Sequence, residues 1–440
     1  QVMAYECYEG LQVKLLKGSD KKMLSRAQLA LMSLGICTLL PYNCLLNAQP
    51  YFKQYPFKGL QFEFTSMMIY SLGLCTSQIF LACKGDGFTV NQRMGTAFIT
   101  EVIVCITFFC LTFASTSHGH QLYVPMLVTI LVLAVSNAVL QTGTFGVAGS
   151  IHQGMSSAVM LGLGISGLVS FFVSLFVQAI QHATNPETSD SADAGRMVAL
   201  VMWAICILQT LISCWVYFIF LRSRLPETAS AIARLEEQRT RAPSEASGMA
   251  FVPDDASSAW GQICKRLSPV FLEIWPQAMN VFVVFLVTMA IFPGVVVLWE
   301  PLPGSAFRNS KQIYHNILIG CFQVGDVLGR SITGPVGRCI GPSRLWILVL
   351  LRFGFIPLFM LGQRSPESSF VWGSDVGRLV LCAFFAITNG LAASLAMMFG
   401  PECCSVLEKR EIAGMAMSAI MVTGIFCGTL LAFATQIGIA

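Results

Sequence analysis

The chain has 440 residues, of which 55% are hydrophobic and only 11% are charged, and its formal net charge is +4. Soluble domains carry roughly 25% charged residues, so a soluble fold with this composition could not cover its own surface. The composition excludes an ordinary soluble domain and predicts a protein that lies mostly in a lipid bilayer.

Apolar runs long enough to cross a bilayer occur eleven times along the chain, given that a spanning helix needs roughly 20 mostly apolar residues. In chain order the runs cover 27–49, 64–83, 94–115, 122–149, 157–181, 197–221, 270–297, 313–335, 343–362, 377–399 and 412–437. They are continuously apolar rather than alternating, which favours helices over a β-barrel. We therefore predict an all-α polytopic membrane protein with about 11 transmembrane helices.

One polar segment precedes the series of apolar runs, and a second one interrupts it. Residues 1–26 carry several Lys residues and contain no cleavable signal-peptide pattern, so the first span is expected to be a permanent anchor. Residues 222–269 form the longest polar interruption and have the composition of a flexible linker. The predicted organisation is an N-terminal segment 1–26, a six-helix bundle 27–221, a linker 222–269 and a five-helix bundle 270–440.

The loops that would share a side with the N-terminus hold most of the Lys and Arg residues found outside the spans. Membrane proteins keep such an excess on the cytoplasmic side. We therefore predict a cytoplasmic N-terminus and a cytoplasmic linker. An odd number of spans then places the C-terminus outside the cell.

The cysteines and histidines show no metal-binding pattern. None of the 16 cysteines forms a CxxC pair, and most lie singly inside apolar runs, as buried thiols do. No Walker loop, nucleophile elbow or zinc motif is present. The sequence therefore predicts a protein that is not an enzyme and not an ATP-driven pump, with no cofactor, no metal and no nucleic-acid partner.

Ionisable side chains inside the spans are the strongest functional candidates, because a charge in the membrane interior is costly. Five positions qualify, counting one near a membrane end: Glu101, Glu273, Asp326, Arg330 and Arg352. Asp326 and Arg330 are four residues apart and so share one helical face, about 6 Å from each other. An alternative to a ligand site is a self-neutralising pair that only allows its helix to sit in the bundle.

Uncharged amides on other spans favour a polar cavity. They are Asn43, Asn137, Gln141, Asn280 and Asn389. Each would be costly against lipid, and together with Asp326 and Arg330 they suit a polar, uncharged ligand rich in hydroxyls and ring nitrogens.

Gly162, Gly164 and Gly167 match the dinucleotide-binding pattern GxGxxG. They lie inside a span, however, and not between a strand and a helix. Close packing of helices is the interpretation that we favour.

Five short motifs resemble those of the equilibrative nucleoside transporters, in the same order along the chain. They are LLPYN at 39–43, FQVGDVLGRSIT at 322–333, Arg352 with Pro357 and Leu358, the run 388–401 that begins TNG and ends FGP, and EIAG at 411–414. The matches extend over nearly the whole chain, and the span count and the long central loop agree with them. The resemblance implies a major-facilitator-like 6+5 arrangement that works by alternating access without ATP.

The resemblance also implies a substrate site and a gate. The implied substrate-binding positions are Leu39, Tyr42, Asn43, Leu46, Leu74, Gln141, Ile319, Gln323, Asp326, Arg330 and Ile425, to which we add Asn137. Arg93 and Glu411 are the implied cytoplasmic gate. Tyr42 stands where the family usually has Trp, Gln323 replaces Asn, and Asn137 occupies a position that is often Gly in mammalian members. These departures leave open the preference for purines or pyrimidines, the preference for nucleosides or nucleobases, and the sensitivity to inhibitors of the mammalian members.

The predicted function is facilitative transport of nucleosides, and of nucleobases as further substrates, by a monomer in the plasma membrane. The first alternative is a proton-coupled carrier of purines, with Glu101 as its candidate proton site. Glu101 has a plainer interpretation as a hydrogen-bonded structural acid. The second alternative is a receptor that binds a nucleoside without moving it, and the number of spans argues against it.

Overall fold

Helices account for nearly all of the described part of the chain. The computed structural model describes residues 18–84, 89–151, 154–184, 192–222, 259–292, 311–364 and 374–439, with a few residues in 229–237 and 295–305. The helices are α1 Gly18–Gln54, α2 Phe62–Lys84, α3 Val90–His118, α4 Tyr123–Ile151, α5 Met155–Thr184, α6 Ala192–Trp215, α7 Ala259–Ile291, α8 Lys311–Ser331, α9 Thr333–Ile340, α10 Leu345–Leu351, α11 Phe355–Arg364, α12 Asp375–Glu402 and α13 Leu407–Ile439. A π-helical turn, Val216–Leu221, extends α6.

Among the described residues, nine helices are long and apolar enough to cross a membrane, or ten if one bent helix pair counts as a span. A helix satisfies its own backbone hydrogen bonds, which hydrocarbon cannot do, and the all-helical prediction is confirmed on this point. The predicted eight-span series up to residue 335 corresponds to α1–α8. The 21-residue α8 is not among the nine, and it carries the ionisable pair Asp326 and Arg330. The total of eleven spans therefore stays a prediction.

The outer faces of these helices carry large apolar side chains. On α3 the exposed side chains are Ile99, Ile103, Ile106 and Phe113, which recur at helical spacing. Val376, Val380 and Phe384 form a similar stripe on α12. Such stripes are stable against lipid tails, so the bundle is embedded in a membrane.

The region around predicted spans eight and nine is more broken than hydropathy indicated. α8 ends at Ser331, and α9 meets the helix that begins at Leu345 at an angle of 106°. Pro335 has no N–H to donate to the carbonyl of Ser331, which explains why α8 does not continue to the predicted end at 335. Within the predicted ninth span, a short 3-10 turn, Arg352–Gly354, separates α10 from α11.

The predicted linker 222–269 lies largely outside the described residues. α7 begins at Ala259 rather than at the predicted residue 270. Hydropathy detects only the apolar part of a helix, so the first turns of α7 were assigned to the linker. The N-terminal segment 1–26 likewise lies mostly outside the described part of the chain.

The helices pack as two groups that meet along a central seam. In the first group, α1 packs on α5 and α6, and α3 packs on α4 and α6. In the second group, α7 packs on α12 and α13, and α8 packs on α12. Across the seam, α13 contacts α2 and α4, and α5 contacts α8 and α12. The predicted site residues lie on these seam helices and on α1 and α3, which pack behind them.

Candidate functional site

Asp326 and Arg330 form a buried ion pair on α8. Arg330 Nε donates to Asp326 Oδ2 at 2.6 Å, and both side chains are about 6% exposed. Arg330 Nη1 also donates to the carbonyl of Met160 on α5, at 2.8 Å. The guanidinium therefore links α8 to the other helix group, which a pair serving only to neutralise itself would not do.

The carboxylate of Asp326 has a second partner on α12. Asn389 Nδ2 donates to Asp326 Oδ1 at 2.7 Å. Asn389 Oδ1 lies 2.6 Å from the hydroxyl of Thr288, which itself accepts from Arg352 Nη2 at 2.8 Å. Because the oxygen of Asn389 faces these donors, its amide nitrogen must point at Asp326. The network therefore fixes residue 326 as a hydrogen-bond acceptor.

Glycines bring α8 and α12 close enough for this network. A Cβ built on Gly390 would lie 2.0 Å from the carbonyl oxygen of Asp326, and one on Gly329 would lie 2.1 Å from the carbonyl oxygen of Ile387. Any side chain at these positions would force the backbones apart. The close approach places Asn389 within reach of Asp326.

The GxGxxG run of α5 serves helix packing on two faces. A Cβ on Gly162 would lie 2.1 Å from the carbonyl oxygen of Met32 on α1. A Cβ on Gly164 would lie 2.8 Å from Arg330 Cδ, and one on Gly167 would lie 2.3 Å from Gln323 Oε1. The interpretation as a packing motif agrees with this geometry, and the motif also positions two of the predicted site residues.

The first helix group supplies polar side chains next to the same turns of α5. Asn43 Nδ2 donates to Ser166 Oγ at 2.9 Å, so the first-span amide meets α5 between Gly164 and Gly167. One turn of α5 therefore joins Asn43 on one side to Gln323 and Arg330 on the other.

A second polar group surrounds Asn137. The amide of Asn137 lies 2.8 Å from the hydroxyl of Tyr70. The ring of Tyr70 stacks on Tyr42, with centroids 3.9 Å apart and planes 12° apart. Sequence analysis missed Tyr70 and Ser166, because a single phenol or hydroxyl in a span does not disturb hydropathy. An aromatic residue with a polar tip inside a span was the available signal for Tyr70.

Several predicted site groups have no hydrogen-bond partner within the described part of the chain. They are the side-chain amide of Gln141, which is only 5% exposed, the amide of Gln323, and Nη2 of Arg330. None of the three is among the fully buried polar atoms that lack a partner, so each keeps some accessible surface and is open to water or to a ligand.

The aliphatic side chains that were predicted to line the substrate site lie on α1, α2, α8 and α13. Leu39 and Ile425 are partly buried and, like Tyr42, pack against the main hydrophobic core. Leu74 is buried beside Cys75, whose sulfur lies 3.7 Å from the hydroxyl of Thr423 on α13. Leu46 and Ile319 are half-buried on α1 and α8.

Arg93 and Glu411 form the predicted pair at one end of the seam. Arg93 Nη2 donates to Glu411 Oε1 at 2.9 Å, and the two side chains are 3% and 7% exposed. Beside them, a Cβ on Gly414 would lie 2.3 Å from the carbonyl oxygen of Phe145. α4 and α13 are therefore in backbone contact, and the seam is closed at this end.

Two candidates from the sequence lie elsewhere. Asn280 donates to Gln277, which in turn donates to the carbonyl of Pro342, so this amide has a structural partner. Glu273 forms an ion pair with Lys409, and both side chains are about one-third exposed. Neither residue is bonded to the network of Asp326.

Comparison with known proteins gives consistent matches over most of the chain. A family model described as "Nucleoside transporter" matches residues 127–437. Equilibrative nucleoside transporter 1 of Rattus norvegicus is 30% identical over 326 residues, which cover 71% of this chain and 68% of that protein. Nucleoside transporter FUN26 of Saccharomyces cerevisiae is 24% identical over 450 residues, covering 94% and 84%.

Among solved structures, the Major Facilitator Superfamily transporter FucP in its outward conformation superposes with a TM-score of 0.60. The sequence identity is 13%, and the alignment covers 93% of this chain and 91% of that one. This similarity establishes a major-facilitator-like arrangement of the helices.

Proposed function

This chain belongs to the nucleoside transporter family, and on that premise we propose that the nucleoside it carries binds in the seam between the two helix groups, against α1, α4 and α8. The protein is a facilitative transporter rather than an enzyme. The substrate groups that we assign are Arg330, Gln323, Gln141 and the stacked ring of Tyr42. Tyr42 would pack on the base, and the polar groups would bind the ribose and the base edge.

The observation that carries this assignment is the set of unpaired polar groups in the seam. Nη2 of Arg330 and the amides of Gln141 and Gln323 have no partner among the described residues. A nucleoside offers hydroxyls, ring nitrogens and exocyclic groups, which can pair with a guanidinium and two amides. An apolar substrate would leave all three unsatisfied at a cost of about 1–3 kcal/mol each.

Alternating access supplies the transport mechanism that we propose. The seam is closed at the end that holds Arg93 and Glu411, which the distribution of Lys and Arg assigns to the cytoplasm. Opening that end requires the ion pair to separate and α4 to move off α13. With this orientation, the structure corresponds to a state that is closed on the cytoplasmic side.

Uptake into liposomes tests the function. Purified protein should take up labelled adenosine, uridine or hypoxanthine and should exchange internal for external substrate. Exchange excludes the receptor alternative, because a receptor cannot move its ligand. Repeating the assay with a pH gradient tests the proton-coupled alternative, which the fully buried Glu101 supports. The relative uptake of the three compounds defines the substrate preference.

Breaking the Arg93–Glu411 pair is expected to open the cytoplasmic end. Either Arg93→Gln or Glu411→Gln removes one charge of this buried pair, which costs about 3–5 kcal/mol in the closed state. The double variant removes both charges of the pair and should recover part of that loss. The measurement is thiol labelling of Ser150→Cys, a buried position at this end of α4, after the exposed Cys110, Cys339 and Cys403 are replaced.

Lys53→Gln is the matched control for the gate. It removes the ion pair between Lys53, at the C-terminal end of α1, and Glu63, at the start of α2. Their side chains are 60% and 40% exposed. Exposed pairs contribute little, so labelling should not change. Equal labelling in the wild type, both single variants and the double variant would refute the gate.

Two finer assignments complete the proposal. We propose that the transporter resides in the plasma membrane and works as a monomer. The substrate seam is formed within one chain, so it needs no second copy.

A further inference from the structure

A buried polar layer lies between the proposed substrate site and the Arg93–Glu411 pair. Gln78 on α2 meets Ser418 on α13 there, and the serine hydroxyl donates to Oε1 of Gln78 at 3.0 Å. Both side chains are 0% exposed. This bond therefore crosses from one helix group to the other inside the closed part of the seam.

Thr142 on α4 belongs to the same layer. It follows the predicted site residue Gln141, and a Cβ on Gly146, one turn further along α4, would lie 3.2 Å from Cγ of Glu411. Ser418 is two turns along α13 from Glu411, and α13 leads away from the pair whereas α4 leads toward it. Thr142 and Ser418 therefore lie on the same side of the pair, toward the substrate site.

Two groups in the layer make no hydrogen bond with any described residue, namely Nε2 of Gln78 and the hydroxyl of Thr142. Turning the amide of Gln78 over leaves its other head unpaired, because only one head reaches Ser418. A threonine in a helix often donates to the carbonyl four residues back, as Thr144 does to Leu140 at 2.7 Å, but Thr142 does not. Buried polar groups normally find a partner, so both exceptions need an explanation.

Opening of the seam would give both groups access to water. In the closed state each group is dehydrated and unpaired, which is unfavourable, whereas water satisfies it in the open state. An apolar side chain of the same shape has no such preference for the open state. The polar layer therefore opposes the closure that the ion pair of Arg93 and Glu411 favours.

We propose that Gln78 and Thr142 line the route by which the nucleoside leaves its site toward the cytoplasm, and that their unpaired groups limit the stability of the closed state of this route. In the open state they present an amide and a hydroxyl to water and to the departing substrate. In the closed state no described residue satisfies them, which brings the two states closer in free energy. This inference rests on the proposed alternating access, since movement of α13 exposes the layer.

Thr142→Val tests this inference most directly, since it removes the unpaired hydroxyl, breaks no hydrogen bond of the layer and keeps the shape of the side chain. Thiol labelling of Ser150→Cys in the purified full chain, without the exposed cysteines, should slow roughly threefold or more. Labelling of this buried position requires opening, and the open population falls as the closed state gains stability. Gln78→Met/Ser418→Ala removes the amide together with its partner and should slow labelling as well.

Thr144→Val is the matched control on the same helix. Thr144 is also 0% exposed, but its hydroxyl has a partner in the carbonyl of Leu140. Gln49→Met is the control for the amide, since Gln49 donates to Ser66 at 3.0 Å within the first helix group. Neither control should slow labelling.

Exposure of the layer on opening is tested by Gln78→Cys. It should react with a water-soluble thiol reagent in the Arg93→Gln background, in which the cytoplasmic end is open, and much more slowly in the wild-type background. Equally slow reaction in both backgrounds would show that the layer does not line the route.

The direction of the change decides the inference. Slower labelling in Thr142→Val, with no slowing in Thr144→Val, supports it. Unchanged labelling overturns it, and so does faster labelling, which is the result that general loosening of a buried site would give. Should Thr142→Val fail to fold, Gln78→Met/Ser418→Ala decides in the same way. The labelling uses no nucleoside, so a failure of nucleoside exchange in liposomes would refute the proposed function as a separate result.

Discussion

The double variant Asp326→Asn/Arg330→Gln is expected to bind nucleoside at least tenfold more weakly than the wild type while remaining folded. A hydrogen bond to a charged group is worth about 1.5–3 kcal/mol. Its loss corresponds to roughly tenfold to over a hundredfold in affinity. The measurement is binding of labelled adenosine or uridine to protein that elutes as a single species in size-exclusion chromatography.

The network around Asp326 makes this double variant informative. Asn389 must donate to residue 326, since the oxygen of Asn389 faces Thr288 and Arg352. An Asn at 326 can accept that bond with its oxygen and donate with its nitrogen to the oxygen of a Gln at 330. The bonds that join residues 389, 326 and 330 are therefore retained, and only the bond from residue 330 to the carbonyl of Met160 is lost together with the charges.

The single variant Asp326→Asn is the comparison. Its amide nitrogen would face Nε of Arg330, so two donors would meet in a buried site. We expect this single variant to be less stable than the double one, because an unpaired buried charge costs more than a removed pair. Near-native affinity in a folded double variant would show that Asp326 and Arg330 only hold the helices together.

Gly414→Leu is expected to abolish uptake while leaving substrate binding in place. The Cβ would lie 2.3 Å from the carbonyl oxygen of Phe145, and backbone atoms cannot move aside as a flexible side chain can. Overpacking of this kind costs about 3 kcal/mol, which lowers the population of the closed end roughly a hundredfold. The transporter would then stay open at the Arg93 end, and the measurements are nucleoside binding and uptake on the same preparation.

Gly334→Leu is the matched control for that variant, because nothing lies within 4 Å of a Cβ at this position. It should transport at the wild-type rate. Thiol labelling at Ser150→Cys should rise in Gly414→Leu and not in Gly334→Leu. Normal uptake by Gly414→Leu would mean that closure of this end does not need the α4–α13 contact.

The sequence predicted the membrane helices well wherever contact with lipid restricts a helix face to apolar side chains. The lipid-facing side of a helix such as α3 must be apolar, so the position of such a helix follows from hydropathy. The bend between α9 and the helix that begins at Leu345 was missed because a helix that changes direction keeps its apolar composition. The ion pair of Asp326 and Arg330 could be foreseen, since spacing of four residues places them on one face. Their bonds to Asn389 and Met160 join distant parts of the chain, and no local pattern encodes them.

The functional roles of the site residues remain predictions. Tyr42 was proposed from resemblance, but the stack with Tyr70 and the amide of Asn137 became apparent only from helix packing. Glu101 was identified because an ionisable side chain inside a span is costly in free energy. Its orientation toward Asn137 depends on how α3 and α4 pack. The chemistry of a buried carboxyl follows from its neighbours, and those neighbours come from other helices.

The hydrogen bond from Arg330 to the carbonyl of Met160 joins the two helix groups at the proposed site itself. The same guanidinium would hold the substrate, so ligand binding and the relative position of the groups share one side chain. Thermodynamic reciprocity then requires that a ligand which alters this bond shifts the balance between open and closed states, and that a shift in that balance alters affinity by the same factor. A nucleoside analogue lacking the group that contacts Arg330 should therefore bind without shifting the conformational equilibrium. Such an analogue would inhibit the transporter without being transported.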